Sequence, residues 1–461
     1  MLSPGVIEAL VQVVGPDHVL QDDESCREYG ADALRRGHPA DAVVFPASAA
    51  DVSAVARLCD RERIPLTPRG AGTGYTGGAV PAAGGVVLAM ERLDRILEID
   101  EGSLLAVVEP NVVTARLQQA VERIGLFYPP DPASLQRSVI GGNVAECAGG
   151  PRAFKYGTTK RYVLGLEAVL PTGEIIETGG RSVKNVVGYD LTQLLVGSEG
   201  TLAVITKIVL RLIPKPPARA TIRAAFRNVE DAVSAVARLV AERVVPAALE
   251  LIDADCLDAL AAAAGRRMTD QDAGALLLME VDGMPEAVAA EAERVRLACE
   301  AQGATGVREA GDAAERAELW RLRRELSFAL RAQAPLKINH DVVVPKARIP
   351  ELFAAVDVLR RSLRLRMPSF GHVGDGNIHV NILLDPQDRA ALARAREAER
   401  RLFEQVVRLD GSISGEHGIG CSKAAYLRLE LSNDVIALMR RLKAAFDPHG
   451  ILNPGKIFPP E

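Results

Sequence analysis

The sequence predicts an α+β protein in two lobes with a returning C-terminal segment, and three observations carry that prediction. Its 461 residues exceed what one ordinary hydrophobic core accommodates. The first half is rich in glycine and β-branched residues, arranged as short strand-like runs around glycine clusters, whereas the second half alternates long helical runs with strands. Between them stands Pro214-Lys-Pro-Pro217, and clustered prolines stiffen a connection and end regular pairing. The expected division is therefore 1–215, 216–445 and a tail at 446–461.

In chain order, Ser48-Ala-Ala-Asp51 is a capping-box-like start for a helix running through Val55 and Leu58 to Arg63. The strand Ile64-Pro-Leu-Thr67 then leads into a glycine-rich loop. Residues 85–90, 95–100 and 104–109 read as further strands, and 114–125 as a capped amphipathic helix stopped by glycine. Residues 141–212 are expected to be strand-dominated. In the second lobe, helices over 229–244 and 285–302 alternate with strands over 274–281 and 336–344, so the sheet should be mainly antiparallel. The tail, punctuated by proline and glycine, is expected to pack back onto the first lobe.

Composition narrows the function classes. A formal charge of -5 argues against nucleic acid, which wants a basic field. Aromatic residues are only 4%, so the cores must be built mostly from Ala, Val, Leu and Ile. Six scattered cysteines show neither a C-x-x-C pair nor iron-sulfur spacing and read as reduced, mostly buried thiols of a cytoplasmic protein. The N-terminus lacks a basic segment followed by an apolar stretch, and no window approaches the roughly 18 to 20 apolar residues of a spanning helix. Membrane contact would be peripheral, at the inner face, or through a partner.

The most informative chemistry lies near the C-terminus. His372-Val-Gly-Asp-Gly-Asn-Ile-His379 places two imidazoles around a turn that Gly374 and Gly376 enforce, and residues 377–383 then alternate like a strand, with His379 and Asn381 on one face. Ser414-Gly-Glu-His-Gly-Ile-Gly420 supplies Glu416 and His417. Two neutral imidazoles and one carboxylate form the ligand set of an open, catalytic divalent site. In extended chain Glu416 and His417 would point to opposite sides, Glu416 to the metal and His417 elsewhere. On an alternating strand, Lys337, Asn339 and Asp341 share a face. Arg323, within Arg321-Leu-Arg-Arg-Glu325, sits by default on a solvated helical face; Trp320, His340 and His449 read as core residues.

Gly72-Thr-Gly-Tyr-Thr-Gly77 fits the dinucleotide pattern G-x-G-x-x-G, but Gly78-Ala-Val-Pro-Ala-Ala-Gly-Gly85 follows it and cannot open the helix that a nicotinamide-type turn requires. The run from Pro68 to Gly78 still suits phosphate, because backbone N–H groups unobstructed by side chains form an anion-binding concavity. A second cluster, Ile140-Gly-Gly-Asn-Val-Ala-Glu-Cys-Ala-Gly-Gly150, with Tyr156-Gly157, implies a long phosphate-bearing ligand lying along backbone.

Taken in order, Arg69-Gly-Ala-Gly-Thr-Gly74, Tyr128-Pro-Pro-Asp-Pro132, Ile140-Gly-Gly-Asn-Val-Ala-Glu146, Lys155-Tyr-Gly157, Gly197-Ser-Glu-Gly-Thr-Leu202 and the two histidine motifs resemble the FAD-linked oxidase family of the vanillyl-alcohol oxidase superfamily. Within it they are most similar to glycolate oxidase flavin subunits and FAD-dependent D-lactate and D-2-hydroxyglutarate dehydrogenases. The resemblance implies a two-lobed FAD-binding domain of the vanillyl-alcohol oxidase/PCMH type and an α+β substrate (cap) domain. It implies FAD contacts from Arg69, Gly70, Ala71, Gly72, Thr73, Gly74, Thr76 and Gly77, then Asp131, Pro132, Gly141, Gly142, Asn143, Gly149, Gly150, Tyr156 and Gly157, with Gly200, Ile205 and Asn453 adding to them. Covalent members carry histidine at the position of Thr73, so non-covalent FAD is expected.

The same resemblance implies His372, His379 and Glu416 as ligands of a divalent metal, zinc or manganese, and His417 as catalytic base. Arg323, Ser327, Lys337 and Asn381 would bind a small D-2-hydroxy acid, which is oxidised to the 2-oxo acid. Electrons would leave to an external acceptor: an iron-sulfur subunit, an electron-transferring flavoprotein or a quinone. The alternatives are the flavin subunit of a multi-subunit glycolate oxidase or a non-catalytic flavin electron-transfer subunit; a homodimer is also compatible. Two positions depart from the family pattern: Cys147, where relatives often carry asparagine, with perturbed flavin contacts as the expected consequence, and His340, where many carry glutamate, with a change in the metal's outer shell or the substrate preference as the expected consequence.

Overall fold

The computed structural model describes residues 2–33, 37–269 and 273–459. They fall into two compact units: Met1–Gly149, Thr158–Lys215 and Glu416–Glu461 form the first, and Gly150–Gly157 with Pro216–Gly415 the second. The division at 215/216 coincides with the proline cluster. The return comes thirty residues before the expected 446, because the backbone of the 419–420 segment is tied into the first unit by Glu199 and the helix Asn433–Phe446 is anchored there by Lys443, which donates to the carbonyls of Thr201 at 2.7 Å and Leu452 at 2.8 Å.

Among the described residues the first unit holds two larger sheets and a two-stranded pairing of Leu126–Phe127 with Ile213–Pro214. One of the larger sheets is four-stranded, ordered Val19–Leu20, Ala42–Val44, Val86–Ala89, Leu66–Arg69, with the first pair antiparallel and the other two parallel. Ser48 caps the helix Ala49–Glu62 by accepting from the Asp51 amide at 3.1 Å, and Arg63 ends it in the left-handed region at φ 57. The helix buries Val52, Val55, Ala56 and Leu58 against Leu66, Val86 and Leu88, each large side chain contributing about 1.5–3 kcal/mol. The other sheet is antiparallel, ordered Ile96–Asp100, Leu105–Val108, Val204–Arg211, Val163–Val169, Ile175–Gly179. No helix follows the Gly72–Gly77 loop; the chain runs to the strand Val86–Ala89.

Two expectations here need correction. The helix expected over 114–125 runs Thr114–Glu122 and has no side-chain cap, since Val113 stands at its N-cap, and the Thr114 hydroxyl donates to the Ser138 carbonyl at 3.0 Å. The strand-dominated stretch opens instead with a helix, Ile140–Glu146, and Cys147 closes it at φ 53. That left-handed position is one asparagine adopts readily.

The second unit is built on one seven-stranded sheet, ordered Gly306–Glu309, Ala218–Phe226, Ala275–Gly283, Ala248–Asp253, Ser369–His372, Asn377–Leu384, Leu336–Val343, with every neighbouring pair antiparallel. One face packs Ile252, Leu276, Leu278, Phe370 and Leu383 against the helices Ala254–Ala264 and Ala313–Ala332. Among the described residues, no helix is long and apolar enough to cross a membrane.

Candidate active site

The two histidines sit on a hairpin. Register pairs Phe370 with His379 and His372 with Asn377, so alternation places Phe370, His372, His379 and Asn381 on the same face as the core residue Leu383. The connecting turn needs both glycines: Gly376 has φ +89, and a Cβ on Gly374 would stand 2.7 Å from the Phe154 ring. The two imidazoles meet edge to face, 5.5 Å between centroids.

Behind each imidazole lies a buried carboxylate that the sequence analysis did not assign to the site. Glu250, on Ala248–Asp253, has Oε1 2.5 Å from His372 Nδ1; Asp341, directly paired with His379, has Oδ1 3.9 Å from its Nδ1. The signal for Glu250 was a lone charge inside the apolar run 247–252. Burial alone would raise its carboxyl pKa, but the Arg323 charge and the His372 contact outweigh this and bring it to about 2. Asp341 accepts from Asn377 Nδ2 at 2.6 Å and from the Gly415 amide at 2.9 Å, which fixes the chain immediately before Glu416.

Arg323 is not on a solvated face. It is 4% exposed, lies 4.7 Å over the Phe370 ring and donates from Nε to Glu250 Oε2 at 2.7 Å. Lys337 is also buried; its amine donates to the hydroxyl and carbonyl of Ser327 at 2.5 and 3.2 Å, and burial pulls its pKa from the usual 10.5 down to about 8. Asn381 uses both amide hydrogens on the carbonyls of Pro368 and His379 and accepts from Asn339 at 2.9 Å. It holds the strands rather than offering a donor. His340 is buried, as read from the sequence, but on the face opposite the histidine pair, with its ring 5.5 Å from Phe403, because successive strand residues alternate.

In the first unit, the chain from Glu416 to Gly420 bends, so Glu416 and His417 do not alternate as in extended chain: His417 Nε2 is 3.7 Å from Glu416 Oε1. The His417 ring stacks on Tyr75 at 5.2 Å, and its carbonyl accepts from Thr76 Oγ1 at 2.8 Å. Glu199 accepts from the amides of Ile419 at 2.7 Å and Gly420 at 2.6 Å. Beside it Glu146 is held well above the usual carboxylate range by burial first and by the Glu199 charge second. Glu199 was not singled out; its only trace was the Gly197–Leu202 motif.

The first-unit residues expected to line FAD converge on backbone. A Cβ on Gly70 would stand 2.6 Å from Val139 and 3.9 Å from the Gly142 nitrogen, and one on Gly141 would stand 2.5 Å from Pro110; Gly72 and Gly77 have positive φ, and Gly74 faces open space. The two glycine clusters are thus packed together, which fits a long anionic ligand held by main-chain N–H groups. Arg69 donates to the Ala31 carbonyl at 2.7 Å, Thr76 is buried, Pro132 turns the chain after Asp131, and Gly149, Gly200 (φ +64) and Ile205 belong to the same unit with Ala71 and Thr73. Asn143 and Asn453 turn their amides inward, to Thr114 Oγ1 at 2.7 Å and to the Gly78 and Glu199 carbonyls at 2.9 and 2.8 Å. Gly150, Tyr156 and Gly157 fall in the second unit, where the Tyr156 hydroxyl donates to Asp282 at 2.7 Å.

Comparison with known proteins finds two family matches, the second of which begins at the proline cluster and runs on through the 416–457 stretch that the structure places in the first unit. A family described as FAD binding domain matches residues 40–179, and one described as FAD linked oxidases, C-terminal domain, matches residues 215–457. The chain is 40% identical to glycolate oxidase subunit GlcD of Bacillus subtilis, covering 99% of this chain and 97% of that one. It is 34% identical to a D-lactate dehydrogenase of Anaerostipes hadrus, covering 99% and 98%. Among solved structures, p-cresol methylhydroxylase superposes with a TM-score of 0.82 over 99% and 98% of the two chains at 17% identity, a likeness of fold.

Proposed function

Because the chain belongs to the FAD-linked oxidase family and carries its FAD binding domain, we propose that it is a metal-assisted dehydrogenase of small D-2-hydroxy acids such as glycolate, D-lactate or D-2-hydroxyglutarate. The observation that carries this reading is a polar cluster on the helix-covered face of the second unit's sheet: two adjoining imidazoles, Glu250 2.5 Å from one and Asp341 3.9 Å from the other, with Arg323 and Lys337 on the same side. His372, with Nδ1 held by Glu250, presents Nε2 as a ligand, and the donor set of His372, His379 and Glu416 suits zinc or manganese. FAD, when bound, supplies the electron-accepting chemistry, and a divalent cation the polarisation of the substrate hydroxyl.

The protein's own part is binding, orientation and proton transfer. Arg323 and Lys337 grip the carboxylate of the acid and fix the face it presents, with Ser327 steering the lysine amine. His417 takes the hydroxyl proton, its ring held by the stack on Tyr75 and its backbone by Thr76. The cysteines show no iron-sulfur spacing, so electrons pass to an external acceptor, an iron-sulfur subunit, an electron-transferring flavoprotein or a quinone. Anaerobic mixing with a panel of hydroxy-acid enantiomers tests the reading: one D-acid or glycolate should bleach the flavin absorbance, and a chelator should prevent it. No bleaching by any of them defeats the substrate class; full bleaching in metal-stripped protein defeats the metal.

A further inference from the structure

We infer that Glu250 is a positioning residue that sets two functional side chains at once, holding His372 in the tautomer that turns Nε2 outward and holding one edge of Arg323 so that the guanidinium is aimed. This rests on the reading of His372 as a metal ligand and Arg323 as a carboxylate grip. The geometry makes it specific. Glu250 is fully buried, its two oxygens are divided between the partners, Oε1 to His372 Nδ1 at 2.5 Å and Oε2 to Arg323 Nε at 2.7 Å, and no other charged residue lies in its strand before Asp253. A carboxylate accepts only, so the His372 nitrogen facing it must carry the proton.

Arg323 Nη2 is buried and charge-paired with Oε2, but it makes no hydrogen bond. A buried guanidinium nitrogen in that state costs on the order of a hydrogen bond, and an arriving carboxylate would supply the missing acceptor. The cation–π contact with Phe370 keeps the guanidinium plane in place meanwhile, and Phe370 itself is 5.0 Å from the His379 ring. One glutamate therefore couples ligand geometry at the cation to the grip on the acid.

The test compares wild type, Glu250→Gln and Glu250→Asp as FAD-loaded full-length protein, measuring zinc and manganese affinity by equilibrium dialysis and, separately, KM and kcat for the acid that bleaches the flavin. The glutamine keeps the shape but turns an amide toward Arg323 or His372, and a 10–100-fold loss of metal affinity with a raised KM is expected, with FAD affinity unchanged. The aspartate keeps the charge, so it should recover part of both losses; this also covers the case in which the glutamine variant does not fold. Wild-type metal affinity and KM in either variant overturn the inference. Wild-type protein that binds no cation overturns the metal reading itself, and the Glu250 assignment with it, before any variant is compared.

Discussion

Lys337 offers a prediction whose sign and size both come from burial. Its amine is 6% exposed, and a pKa brought from 10.5 to about 8 means that the folded protein disfavours the charged form by roughly 2.5 units, about 3 kcal/mol. Below about pH 8 the lysine is charged folded and unfolded, and the whole cost is present. As pH rises from about 8 toward 10.5, the folded protein releases the proton before the unfolded chain does, so stability from this group increases. In Lys337→Met the cost is absent at every pH, although the Ser327 hydroxyl and carbonyl lose their donor. The unfolding free energy of the variant relative to wild type should therefore fall by about 2 kcal/mol between about pH 7 and pH 9.5. Urea denaturation followed by fluorescence of Trp320, the single tryptophan and a neighbour of Ser327 on the helix Ala313–Ala332, measures both proteins. A difference that stays constant with pH refutes the reasoning.

Three further outcomes are expected. His417→Ala should abolish flavin reduction while FAD remains bound, as seen by stopped-flow absorbance; undiminished reduction removes His417 from the base role. Glu199→Ala leaves the amides of Ile419 and Gly420 without an acceptor, which should cost about 1–3 kcal/mol per buried group in thermal or urea unfolding, and it should lower kcat through the loosened His417 loop. Gly376→Ala forces a side chain into φ +89 against the Val344 carbonyl and should destabilise the second unit by at least about 1–2 kcal/mol, read by the same tryptophan.

The sequence by itself determined what local pattern can determine: the α+β class, the antiparallel sheet of the second unit, the chain reversal at Gly374 and Gly376, the cap at Ser48, the absence of a helix after Gly77, and the two histidines on a common face, since period-two alternation and glycine turns are written in adjacent residues. What only the tertiary structure decided depends on residues far apart in the chain. Arg323 is a buried ion-pair partner rather than a solvated helical charge because Glu250, 73 positions away, is brought opposite it by strand order. The bend at Glu416-His417 follows from amides captured by Glu199, 220 positions earlier for Ile419. His340 faces away from the site because its strand's register, set by pairing with Asn377–Leu384, commits Lys337, Asn339 and Asp341 to the other side. Burial of a charge becomes tolerable only when a partner is delivered to it, and that delivery is a property of the assembled sheet.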